Sequence, residues 1–354
     1  MLDRSSTKKS VCTNDKGCIL KTMLTILLLS SPSLAVTLWS EPEVIGELEA
    51  SALDELSGLA SSGVTPGLMW GINDSPDPIL FAIGEDGADV DRLWIDGVEN
   101  YDWEDLSSAP CPDIADACSC LFVADTGDDS NDREHGLILI VPEPLTGTFG
   151  SKTEAPIEIW FTTPRGFIDF EAMVVEPDTL DIFLFEKTTD FLAEVYRISG
   201  PHLPNSEDSP LMASQIATLE LTSVTESAIG GASISPDGRM LVLRTDSYLF
   251  LFEGDSGVEE MLTRPPSSIP TVVDPNGEAV AFSFDGGAIY LSGEGDNADI
   301  SAIFMEPALT TTRLTEQCEL TATCGCTTAT KGRASNALVS LISLFGLLIF
   351  RRRS

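Results

Sequence analysis

Glu104, Glu171 and Glu278 hold the same place in three copies of a repeated segment, each at the head of a short run that becomes apolar. Carboxylates drawn together from distant segments either raise one another's pKa or take up a cation. Oxygen-only donors favour Ca2+ over softer metals. The run Asp125-Thr126-Gly127-Asp128-Asp129-Ser130-Asn131-Asp132 offers a second set of oxygens, with Asp125 and Asp128 as candidate ligands. It lacks the full spacing of a helix-flanked calcium loop. Asn73, Asp74, Lys187, Arg244 and Glu294 fall near the ends of the next apolar runs. Lys187 and Arg244 are two of only ten basic residues between positions 36 and 330. Such groups either offset an acidic cluster or hold an anionic ligand against a bound cation. The same glutamates could instead serve the architecture alone, capping backbone N–H groups or pairing with an arginine.

Other chemistries lack their residues. His135 and His202 are the two histidines, and neither lies in a repeated motif. There is no Gly-x-Ser-x-Gly turn with a paired base, and no glycine-rich phosphate loop between a strand and a helix. If the chain is an enzyme, metal-assisted hydrolysis at carboxylate-held Ca2+ is the chemistry left.

The elements that position these residues read as strands. Short apolar or alternating runs are divided by Ser235-Pro236-Asp237-Gly238, Asp274-Pro275-Asn276-Gly277 and Asp285-Gly286-Gly287, with no sustained helical periodicity. Glu171 to Val175, Gly230 to Ile234 and Glu278 to Phe282 each lead through a turn into a second strand, with looser copies at Ser57 and Glu104. The unit starts fall at 57, 104, 171, 230 and 278, spaced by roughly 47 to 67 residues, enough for a four-stranded blade. The expected fold is all-β, a β-propeller with five recognisable blades over residues 36–316. A sixth, built from Val36–Glu49 with Ile300–Phe304, stays open. Pairing of the two ends would protect the edge strands. Small residues at unit starts fit strands that converge on an axis.

Asn73-Asp74-Ser75, Asp102-Trp103-Glu104-Asp105-Leu106, Asp125-Thr126-Gly127-Asp128, Phe170-Glu171-Ala172-Met173 and Arg244-Thr245 resemble secreted bacterial propellers of the phytase-like and esterase-like group, over about residues 54–296. The resemblance implies the propeller fold. It implies activity only weakly, because the grouping rests on shared architecture. The chain departs from that pattern at Gly230-Gly231-Ala232-Ser233, where such proteins tend to carry an aspartate.

The two ends read as export signals. Lys8, Lys9, Lys16 and Lys21 precede the apolar run Met23–Leu29, and Ser33-Leu34-Ala35 offers a cleavage site, so residues 1–35 are expected to be a signal peptide. Residues 317–336 form a cysteine-containing linker. Residues 337–354 carry an apolar run to Phe350 followed by Arg351, Arg352 and Arg353. That run is expected to be a transmembrane helix, short for a full span without its flanks. Cys324-Gly325-Cys326, the apolar run and the arginine cluster resemble a MYXO-CTERM sorting signal over Thr323–Ser354. The resemblance implies an exported protein at the cell surface or outer envelope, its tail either retained in the membrane or cut near Cys324 and Cys326.

Composition agrees with export. The chain has a formal net charge of −36, and residues 36–330 hold 54 acidic against ten basic side chains. Nucleic acid is excluded as a partner on charge. Cations, an extracellular ligand, a small anionic substrate and the membrane at the C-terminal segment remain. A loop closed by Cys111 with either Cys118 or Cys120 is expected in an oxidising compartment, with Cys318 and Cys324 as a second pair. Zinc is the alternative, without a neighbouring histidine to support it. The expected function is a surface-anchored acidic binding or scaffold module with a Ca2+ site at one channel mouth. The alternative is a Ca2+-dependent hydrolase of phosphoesters or lactones.

Overall fold

The computed structural model describes residues 38–306, apart from 75, 113, 115–116, 129–131, 145–151, 188–191, 201–203, 221–227 and 272–276. The expected signal segment, Cys318, Cys324, Cys326, the apolar tail and Arg351 to Arg353 lie outside the described residues. Among the described residues no helix is long and apolar enough to cross a membrane.

Five antiparallel sheets follow one another along the chain. β1 (Leu38–Trp39) and β2 (Glu43–Glu47) come first but belong to the last blade. Blade I is β3 (Leu56–Ser61), β4 (Leu68–Asn73), β5 (Ile79–Gly84) and β6 (Asp89–Trp94). Blade II is β7 (Trp103–Ala109), β8 (Cys120–Asp125), β9 (Gly136–Pro142) and β10 (Ile157–Thr162). Blade III opens with β11 (Phe170–Val175), β12 (Ile182–Glu186) and β13 (Leu192–Ile198). The short β14 (Leu211–Met212) then pairs in parallel with β10, and β15 (Ser214–Glu220) completes blade III. Blade IV is β16 (Gly231–Ile234), β17 (Met240–Arg244), β18 (Tyr248–Glu253) and, after the single-turn α1 (Val258–Met261), β19 (Ser267–Pro270). Blade V is β20 (Val280–Phe282), β21 (Ala288–Leu291) and β22 (Asp299–Glu306).

Blade V takes its fourth strand from the other end of the chain. β2 pairs antiparallel with β22, Glu43 opposite Ala302 and Glu47 opposite Asp299. The sixth blade does not form, because the described strands of that stretch, Leu38–Trp39 and Glu43–Glu47, pair with β22 in the outer half of the fifth. The pairing removes the open edge that a three-stranded blade would present.

The five packed cores lie between neighbouring blades, one at each interface. Successive residues of β11 show why the strands read as unbroken apolar runs. Ala172 and Val174 pack toward blade IV, whereas Met173 and Val175 pack toward blade II. Both faces of a blade are dry, so no alternation with polar residues survives in the sequence. Phe122, fully buried between blades II and III, illustrates the scale: truncating such a ring to alanine costs about 3–5 kcal/mol.

Strands β3, β7, β11, β16 and β20 touch in sequence and close a ring, β20 returning to β3. They run the same way, so their first residues gather at one mouth and their last residues at the other. The axis between the mouths is narrow and filled. Asp105, on β7, accepts backbone N–H bonds from Met173 of blade III at 2.8 Å and Ala232 of blade IV at 3.2 Å. Ser57 Oγ donates to the Glu104 carbonyl, and Ser61 Oγ donates to the Phe282 carbonyl at 2.6 Å.

Candidate metal centre

Three of the five inner strands begin with a bulge, and the residue left out of register is each time the one at the head of the repeat. β3 pairs Leu56 with Asn73 and Gly58 with Ile72, skipping Ser57. β7 pairs Trp103 with Asp125 and Asp105 with Ala124, skipping Glu104. β11 pairs Phe170 with Glu186 and Ala172 with Phe185, skipping Glu171. A bulge bends its strand and re-aims a side chain. Here the residue before the bulge, Leu56, Trp103 or Phe170, is fully buried. It anchors the strand while the bulged residue is released from the ladder.

Carboxylate oxygens of Glu104, Asp169 and Glu171 lie within 4.8 Å of one another. Glu104 and Glu171 are only 8% and 5% exposed. Lys187, one residue beyond β12, brings its Nζ to 2.6 Å from Glu171 Oε1 and 3.8 Å from Asp169 Oδ2. The Asp169 side chain also accepts the Asp128 N–H at 3.1 Å. Its carbonyl accepts the Lys187 N–H at 3.0 Å.

Repulsion and burial together disfavour full ionisation. Glu104 is held well above the ordinary carboxylate range, first by burial and then by the charges of Glu171, Asp102 and Glu278, with Lys187 pulling the other way. Burial likewise lifts Glu278 to about 8, helped by Glu171, Glu294 and Asp74. Asp74 is raised to about 6 by burial and by Glu55, Glu294 and Asp102. A group of oxygens in this state accepts protons or a cation, since either relieves the repulsion.

The surrounding backbone is shaped to leave the carboxylates room. Thr126 and Gly127 donate their N–H groups to the Asp102 carbonyl, and Thr126 Oγ1 donates to the Phe170 carbonyl at 2.8 Å, clipping blade II to blade III. A Cβ on Gly127 would stand 2.1 Å from Glu104 Oε1 and 2.4 Å from Asp102 Cγ. Glycine is therefore the residue that fits beneath this pair. A similar contact accounts for the second glycine of the pair in blade IV. A Cβ on Gly231 would lie 2.1 Å from the Glu278 carbonyl oxygen, so an approach this close by the start of blade V leaves no space for a side chain.

Of the residues singled out in the sequence, Glu104 and Glu171 come together. Glu278 stands outside the three-carboxylate group and acts on it through its charge, as do Asp74 and Glu294 on Glu278. Asp125 is not one of the three and pairs with Arg133 at 2.8 Å. Asp128 Oδ1 accepts the N–H groups of Asp132 and Arg133 at 3.0 and 3.2 Å, ordering its own turn. Asn73 Nδ2 donates to the Ala52 carbonyl at 2.8 Å. Arg244 is buried and donates to the backbone carbonyls of Ala279, at 2.6 Å, and Ser292, tying blade IV to blade V. Cys111 is bonded to Cys120 rather than to Cys118.

Asp169 and Asp102 were not among the expected site residues. Their signal was present: an acid two positions ahead of each bulge, in Glu55-Leu56-Ser57, Asp102-Trp103-Glu104 and Asp169-Phe170-Glu171. No family model and no curated protein matches this chain.

Proposed function

We propose that the protein is an exported, surface-tethered binding module that holds Ca2+ at the acidic mouth of its propeller. The observation that carries this reading is the convergence of Glu104, Asp169 and Glu171 oxygens within 4.8 Å. The donor set is oxygen only, which fits a hard cation. Glu104, Asp169 and Glu171 would hold the ion, and a bound Ca2+ supplies a positive centre for an anionic group. Lys187, already against Glu171, is placed to share that anion. The basic n-region, the apolar tail and its arginine cluster support export and tethering, and the excess of acidic residues fits a protein that works in cation-rich surroundings.

One observation favours a hydrolytic form of the same site. With a pKa of about 8, Glu278 exchanges a proton near neutral pH beside the carboxylate group, as a general acid or base must. This would suit a phosphoester or lactone substrate, the activity that the resemblance to phytase-like and esterase-like propellers implies.

Calorimetric titration of the full-length protein with Ca2+ tests the binding reading. We expect saturable binding that weakens at least about tenfold in Glu171→Gln, a charge-deleting change of similar shape. Absence of binding in the wild type, or equal binding in the variant, refutes it. Chelator-sensitive turnover on a phosphoester and lactone panel, lost in Glu278→Gln, selects the hydrolase over the pure binding module.

A further inference from the structure

The opposite mouth, where the inner strands end, is built differently. A recess of about 380 Å³ lies there among residues of β3, β7, β16 and β20, with Pro177 just beyond β11, within the size range of small-molecule sites. In a chain with a formal charge of −36, none of the described residues lining it is charged. Its walls are apolar, with Leu106, Ile234, Phe282 and Phe284 among them, and are dotted with serine hydroxyls.

Most of those hydroxyls are committed to the fold, but three are not fully used. Ser119 is 4% exposed, lines the recess, and its Oγ makes no hydrogen bond among the described residues. Ser107 Oγ accepts the Val175 N–H at 3.2 Å, and Ser233 Oγ accepts the Phe282 N–H at 3.1 Å. Neither gives its own proton to a protein acceptor among the described residues. Buried polar groups are normally satisfied, so a buried hydroxyl without a partner at the wall of a cavity points to a partner that is not protein.

We infer that this recess binds an uncharged, largely apolar small molecule bearing a carbonyl-type acceptor, which receives hydrogen bonds from Ser119, Ser107 and Ser233. An anion would meet the field of an acidic protein with no basic side chain in the wall. A cation would find no carboxylate among the described residues of the wall. The buried carboxylate of Glu143 is already taken: it accepts from Ser62 Oγ, from Trp70 Nε1 at 2.9 Å and from the Gly63 N–H at 2.9 Å. This site is separate from the acidic mouth, because Asp105 and the serine contacts fill the axis between the two.

Cys118, in the wall but outside the disulfide, gives a reporter. The probe is 6-propionyl-2-dimethylaminonaphthalene, a neutral aryl ketone whose emission shifts to the blue in apolar surroundings. Titrated into the full-length protein, it should bind saturably at one site, equally with Ca2+ and with chelator. Bound probe should slow alkylation of Cys118 by N-ethylmaleimide, and prior alkylation should abolish binding. Ser119→Ala should weaken affinity by about threefold to tenfold, the worth of one hydrogen bond, with an unchanged circular dichroism spectrum. The inference is overturned if the probe does not saturate, if Cys118 alkylation and Ser119→Ala both leave its binding unchanged, or if 1-anilinonaphthalene-8-sulfonate, an anion, competes with equal affinity. Loss of binding on adding chelator would also overturn it, by placing the probe at the acidic mouth. Because Ca2+ plays no part, failure here leaves the Ca2+ reading standing, and the reverse.

Discussion

Lys187 Nζ lies 2.6 Å from Glu171 Oε1 and reaches Asp169 as well, so a lysine already neutralises part of the group that would hold a cation. An incoming Ca2+ must share those oxygens with an ammonium of like sign. Removing the charge in Lys187→Met should raise Ca2+ affinity by about tenfold or more, given how strongly charges interact at such separations near a protein surface. The same variant should be less stable than wild type in chelator, where the carboxylates face each other without it. Calorimetry and urea unfolding check the two halves; unchanged or weaker Ca2+ binding would show that the ion does not contend with Lys187.

The acidic mouth should make stability depend on pH in an unusual direction. Glu278 titrates at about 8 in the folded protein, against an ordinary value of 4.5. Glu104 is displaced the same way. The folded state therefore keeps protons that the unfolded chain has released, and stability falls as pH rises from about 4.5 to about 8. In chelator, the urea midpoint should drop between about pH 5 and pH 8, and Glu278→Gln should flatten the drop. A wild-type midpoint that climbs across this window contradicts the picture. Saturating Ca2+ should reduce the slope, since it replaces the protons.

Asp105 organises three backbone donors. Its Oδ1 accepts the Leu106 N–H at 2.7 Å, and its Oδ2 those of Met173 and Ala232 at 2.8 and 3.2 Å. Burial holds its pKa well above the usual range while these bonds pull it down. Asp105→Ala leaves three buried N–H groups without an acceptor and should cost about 3 kcal/mol or more. Asp105→Asn keeps one acceptor oxygen and should lose less. Urea unfolding of the pair measures the difference, and equal stability of Ala and wild type would deny Asp105 this role.

The Cys111–Cys120 bond closes a short loop between β7 and β8 at the rim of the uncharged recess. Loop-closure entropy for about ten residues predicts a loss of roughly 2–3 kcal/mol on replacing both cysteines by serine. The change should appear in the urea midpoint with little effect on Ca2+ binding at the far mouth. A double variant as stable as wild type would mean that the strands alone order this rim.

Much of the ring was legible because its units carry local chemistry. Ser235 and Ser283 show it: each hydroxyl donates to an aspartate two residues on and accepts the N–H of the residue starting the next strand, Met240 in one case and Ala288 in the other. Such turns depend on neighbours in sequence. The number of blades was less legible, because the partner of Glu43–Glu47 lies some 250 residues away at Asp299–Glu306, and a half-exposed outer strand reads alike in either blade. At Arg244 the neighbouring blade matters: its Nη1 donates to the backbone carbonyls of Ala279 and Ser292, contacts across blades that composition does not show. Asp169 was hidden because it lies just before β11, outside the apolar run that marks the strand, and its meeting with Glu104 of the neighbouring blade is a long-range contact. The cysteine choice needed register. Ala109 stands opposite Cys120, which places Cys111 beside that strand rather than beside Cys118.

In the seam of blade V, Leu38 is the rung partner of Glu306. Tension applied between these two residues therefore pulls neighbouring backbones apart at one spot, parting rungs singly instead of shearing a whole strand. The first and last described strands meet at this pair, so a load applied there is felt in the seam of blade V before it reaches either mouth.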